Sequence, residues 1–114
     1  MSIFDAFKDL NENTNIICKS DYQDCMHCAT TKLDEKLEED KNKIGYAYWT
    51  ESDETQRIRR NVFHIGFCNR EDQYETSSKD IAEIVCDRLF RHNVIHVWSG
   101  DMKDKIVIYG EGGN

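Results

Sequence analysis

Val62-Phe63-His64-Ile65-Gly66-Phe67-Cys68 lies near the middle of the chain, and its reading decides the fold. Side chains alternate between the two faces of a strand. Phe63, Ile65 and Phe67 therefore share one face, and Val62, His64, Gly66 and Cys68 share the other. The first set is apolar throughout and belongs in a core. The second carries the only groups on this strand able to do chemistry, His64 and Cys68.

Working outward, Ile44-Gly45-Tyr46-Ala47-Tyr48-Trp49-Thr50 reads as a strand from its aromatic residues. Ser52 or Asp53 is placed to cap a short helix through Arg60. Downstream, Ser77 with Asp80 three residues later opens the longest amphipathic helix. Its apolar face holds Ile81, Ala82, Val85, Cys86, Leu89 and Phe90, with Ile84 at the margin. Val94 to Trp98 and Lys105 to Tyr109 are strands around the turn at Ser99-Gly100-Asp101, so they are expected to pair as a hairpin. Upstream, Ile3, Phe4, Phe7 and Leu10 mark an N-terminal helix, with Ser2 and Asp5 as its cap. Ile16-Ile17-Cys18 reads as a short extended piece. Met26, Ala29, Leu33 and Leu37 form a narrow stripe on a charge-rich helix that runs to about Lys43.

The expected fold is a single layered α/β domain, on the border with α+β. It has a mixed sheet of about four strands, a long crossover helix and a C-terminal hairpin. Residues 1–43 form a helical N-terminal part, residues 44–109 the sheet and long helix, and residues 110–114 a flexible tail. Strand–helix–strand connections are expected to be parallel crossovers. Near-continuously apolar strands imply that both sheet faces are at least partly covered.

Composition excludes several classes. A chain of 114 residues suits one domain. A net charge of -7 offers no basic field for phosphates, so nucleic acid is not an expected partner. Residues 1–57 carry 13 acidic and 7 basic side chains, against 9 and 8 in the remainder. That asymmetry suits either a solvated face or a basic protein partner. No signal-peptide pattern or membrane-spanning apolar run is read. Five cysteines, an odd number, fit reduced thiols in the cytoplasm. Proline is absent.

Four groups of residues are candidates for chemistry. Cys25 and Cys28 stand three apart at the start of a helix, the spacing of a redox dithiol or of half a zinc site. A thioredoxin-like arrangement wants a strand immediately before the pair and a cis-proline nearby, and neither is read here. Asp21 and Asp24 would raise a neighbouring thiol's pKa rather than lower it. For zinc, Cys18 is the nearest third ligand, and the fourth would have to come from elsewhere in the fold. The same two thiols also fit small, semi-buried residues on a helix edge. His64 and His96 lie mid-strand and share a face only if their strands are neighbours in parallel; a histidine in that position is more often structural. Trp98 in its turn and Asp53 beside Tyr46, Tyr48 and Trp49 are candidates for an interaction site or pocket. No complete catalytic set is present. The function expected is protein binding, for example an inhibitor-type module, with zinc or thiol-redox chemistry at Cys25 and Cys28 as the alternative. No cofactor is expected apart from zinc at that pair.

Several of these motifs recur together. They are Cys25-x-x-Cys28-Ala29, Gly45-Tyr46-Ala47-Tyr48 before Ser52-Asp53-Glu54-Thr55, Phe63-His64-Ile65-Gly66-Phe67, and Val97-Trp98-Ser99-Gly100 before Ile106-Val107-Ile108. In this order the chain resembles a bacterial family of small proteins known only as a domain of unknown function. The resemblance covers about residues 20 to 109. It departs at Ala29, where the family commonly has Gly, and at Ser52 to Thr55, where the family tends to read Gln-Asp-Thr-Glu. It implies a shared fold, with the Cys pair, the Asp53 loop and the Trp98 turn as shared features, and no activity.

Overall fold

The structure, a computed structural model, describes residues 2–70 and 77–112. The stretch Asn69 to Glu75, a polar loop by composition, therefore falls largely outside the described residues. Those described form four helices and five strands: α1 Ser2–Asn13, β1 Ile16–Lys19, α2 Met26–Glu39, β2 Gly45–Tyr48, α3 Glu51–Arg60, β3 Val62–Asn69, α4 Ser78–Arg91, β4 Ile95–Val97 and β5 Ile106–Tyr109. The strands make one mixed sheet in the order β1-β2-β3-β5-β4. The extended piece at Ile16 to Cys18 is a full strand and brings the sheet to five. It pairs in parallel with β2, so β1–α2–β2 is a parallel crossover unit.

The short helix α3 does not make the expected parallel crossover, because β2 and β3 are antiparallel neighbours. The reason lies in its side chains. A crossover helix must lay an apolar stripe across a sheet face. Arg57 is the only buried residue of α3, so the helix has no such stripe. It reverses the chain at the sheet end instead, and Asn61 in the left-handed region (φ 58) turns it into β3. Its N-cap is Thr50, which forms a capping box with Asp53, rather than Ser52 or Asp53.

The long helix α4 does cross over. Both β3 and β4 pair antiparallel with β5, which lies between them, so β3 and β4 run the same way. The hairpin β4–β5 forms as expected. The Ser77–Asp80 capping box opens α4.

One sheet face packs on α1 and α4 around Trp49, Phe63, Ile65, Ile106 and Ile108, with Ile81, Ala82, Val85 and Leu89 from α4. Phe90 does not join that apolar face and is 76% exposed. On the opposite face α2 lays Ala29, Leu33 and Leu37 on Tyr46 and Tyr48, with Ile17, Tyr22 and Cys68 at the edge. Met26, the first residue of the expected stripe, stays exposed.

Two long-range clasps tie these layers. Glu111 is buried, and its carboxylate accepts the backbone N–H of Ile3 at 2.7 Å, at the N-terminus of α1. Its carbonyl accepts from Arg57 Nη1 at 2.7 Å, and Arg57 is in turn paired with Glu54. The tail expected to fray from residue 110 is thus held through Glu111. Residues 113 and 114 lie outside the described residues. The second clasp is Arg70, whose guanidinium donates to the carbonyls of Leu37, Asp40 and Lys43 at the end of α2.

Candidate functional site

The geometry around α2 gathers three potential ligands. The atoms Asp24 Oδ, Cys25 Sγ and Cys28 Sγ all lie within 4.8 Å of one another. Cys25 is the N-cap of α2, and its sulfur accepts the backbone N–H of Cys28 at 3.4 Å. The segment that carries them is anchored at both ends. Tyr22 N donates to Trp49 O at 2.9 Å, Glu51 N to Gln23 O at 2.9 Å, and Ala29 N to Cys25 O at 3.0 Å. Asp21 and Gln23 turn the chain with φ of 50 and 61. Hydrogen bonds from Cys25 and Asp24 push the Cys28 thiol up to about 11. The Cys28 thiol therefore stays protonated near neutral pH.

Cys18 does not join this group. It pairs with Ala47 on the α1/α4 face, and burial raises its thiol far above the ordinary range. Its alternation with Ile16 placed it there, since both belong to the buried set of β1. Asp24 was legible only as a neighbour of the cysteines.

His64 and His96 lie on opposite faces. His64 sits opposite Val107, while His96 sits opposite Ile108, and adjacent residues of β5 point to opposite sides. Because β5 lies between them, β3 and β4 also do not pair directly. His96 Nδ1 contacts Val94 O at 2.8 Å, and His64 is solvent-exposed. Asp53 is engaged as the carboxylate of the α3 capping box. Trp98 packs edge-on to Phe67 at 5.8 Å, and its indole N–H donates to Asp101 O and Asp104 O. It thereby braces the β4–β5 loop, whose Met102 is exposed.

The same register uncovers a surface that sequence patterning did not find. Val62, Tyr109 and Ile95 lie opposite one another across β3, β5 and β4, and so do His64, Val107 and Val97. Both rows occupy the α2 face, yet α2 does not reach them. Ile95 is 65% exposed, Val97 57% and Tyr109 41%. Between this bare area and α2 lies a cleft of about 230 Å³, lined among others by Met26, Tyr46, Tyr48, Gly66, Cys68 and Met102. Burial pushes the Tyr48 hydroxyl up to about 12 and that of Tyr46 higher still, so neither serves as a base near neutral pH. Gly66 shapes the floor, because a Cβ there would lie 2.6 Å from the Tyr48 ring. No helix among the described residues is long and apolar enough to cross a membrane.

Neither the curated proteins nor the solved structures contain a match to this chain. Residues 3–110, from the start of α1 to just beyond β5, match one family along their whole length. The chain belongs to the family described as a domain of unknown function, DUF6891.

Proposed function

We propose that this domain acts by binding another protein through the bare half of its α2 face. One observation carries the reading: two three-strand rows, Val62–Tyr109–Ile95 and His64–Val107–Val97, in which Tyr109, Ile95, His64 and Val97 are exposed and Val62 and Val107 half-buried. Five of those six side chains are apolar. Contiguous apolar patches on a sheet face mark interaction surfaces, because leaving them in water forgoes roughly 25 cal/mol per Å² of burial. The strand β4 is also a sheet edge, and an edge offers unpaired backbone groups to an incoming chain. A net charge of -7 favours encounter with a basic partner and opposes nucleic acid. An inhibitor-type module is one form such a binder takes.

Position-specific photocrosslinking in the native cell tests this. A crosslinker at Val97 or Ile95 is expected to trap one discrete protein, and a crosslinker at Glu83 on the outer side of α4 is not. Equal trapping from both sides, or none from the sheet face, overturns the proposal.

A further inference from the structure

We infer that Asp24, Cys25 and Cys28 form a zinc site with three protein ligands, separate from the bare sheet face. The argument starts from placement. Three donor atoms, two sulfurs and one carboxylate oxygen, already lie within 4.8 Å of one another. Zinc takes sulfur at about 2.3 Å and carboxylate oxygen at about 2.0–2.2 Å in a tetrahedron, which sets ligand–ligand spacings near 3.5–3.8 Å. The largest separation exceeds these spacings by no more than about 1.3 Å. The backbone is held by the hydrogen bonds of Tyr22, Glu51 and Ala29 along the segment.

Charge and donor type narrow the ion. Thiolates select zinc over magnesium and calcium, which prefer oxygen. The N–H of Cys28 already points at Cys25 Sγ, the kind of backbone donor that supports a metal-bound thiolate. The helix N-terminus adds positive potential at the same place. A dication would neutralise the negative charge that two thiolates and a carboxylate gather at one place. Binding therefore releases thiol protons to solvent, and affinity rises with pH. Three ligands leave a fourth position for water.

Cobalt(II) titration of the reduced full-length protein tests the site. One equivalent is expected to give a thiolate-to-cobalt charge-transfer band, and zinc should bleach it. Cys25→Ser and Cys28→Ser are expected to lose the band, whereas Cys68→Ser and Cys86→Ser keep it. Serine is itself a good N-cap, so α2 should survive in Cys25→Ser, and circular dichroism checks that. Asp24→Asn is expected to weaken binding at least about tenfold. Failure of the folded wild type to show the band overturns the inference. So does a band that survives Cys25→Ser, and unchanged affinity in Asp24→Asn overturns the three-ligand set.

Discussion

The two halves of the α2 face are built on one sheet and end differently. Under α2, Tyr46 and Tyr48 are closed off by Ala29, Leu33 and Leu37. Two strands away Tyr109, and three strands away Ile95 and Val97, stand in solvent on the same face. Helix width explains the difference. A helix is about 10 Å across and strands are about 4.8 Å apart, so one helix covers about two strands. The opposite face has α1 and α4 and is sealed. Among the described residues this face has α2 alone, so a bare remainder follows from the count of described helices. The apolar residues that remain there are of the kind a sheet presents when something else completes the layer.

The largest effect is expected beneath α2. Leu33 is fully buried between the helix and the tyrosines. Leu33→Ala should destabilise the domain by about 3 kcal/mol in urea unfolding. A cost near zero would mean that α2 does not seal its half, and the comparison would fail.

The boundary between the halves comes next. A Cβ at position 66 would lie 2.6–2.7 Å from the Tyr48 ring atoms. Gly66→Ala must push that ring toward the cleft, at a cost of roughly 2 kcal/mol. An unchanged midpoint would show that the cleft yields freely and that the boundary is soft.

A smaller, pH-dependent effect is expected on the sealed face, where Asp9 of α1 is held by Asn13 (2.7 Å), His92 (2.8 Å) and Arg88 (2.8 Å). The Asn13 amide first, then His92 and Arg88, hold its carboxyl well below the usual range. A depressed folded-state pKa stabilises above the unfolded value, about 3.9, and that contribution is lost as pH falls through the folded value. Asp9→Asn should therefore be less stable than wild type at neutral pH, with the gap closing below about pH 4. A gap independent of pH would show that the carboxylate's charge does not clamp α1 to α4.

The legibility of these regions follows the range of the interactions that make them. The faces of β3 and the Ser77–Asp80 cap rest on neighbours within a few residues, and the β4–β5 hairpin on partners 10 to 14 residues apart across one turn, so sequence spacing displays them. Cys25 and Cys28 were visible for the same reason. The antiparallel β2–β3 pair, the cap that Glu111 lends to Ile3 and the separation of His64 from His96 depend on partners 18 to 108 residues away or on strand order. The bare surface was hidden most deeply. Ile95, Val97 and Tyr109 look like core strand residues, and only register shows that α2 stops short of them. Cys18 is the exception, since its alternation with Ile16 already pointed it into the core.

The smallest effect on stability is expected on the bare half, and it discriminates best. Val97 is more than half exposed on the edge strand β4. Lysine on an exposed edge is well tolerated, so Val97→Lys should change unfolding free energy by less than about 0.5 kcal/mol. A residue that the domain itself does not need, lying in a three-strand apolar row, should matter to a partner instead. With the crosslinker at Ile95, Val97→Lys should abolish trapping, both by removing an apolar contact and by placing a positive charge against a basic partner. Large destabilisation would mean that this half is closed by the chain itself, and the contrast between the halves would disappear. Unchanged stability with unchanged trapping would leave the contrast in place but remove the patch as the binding surface.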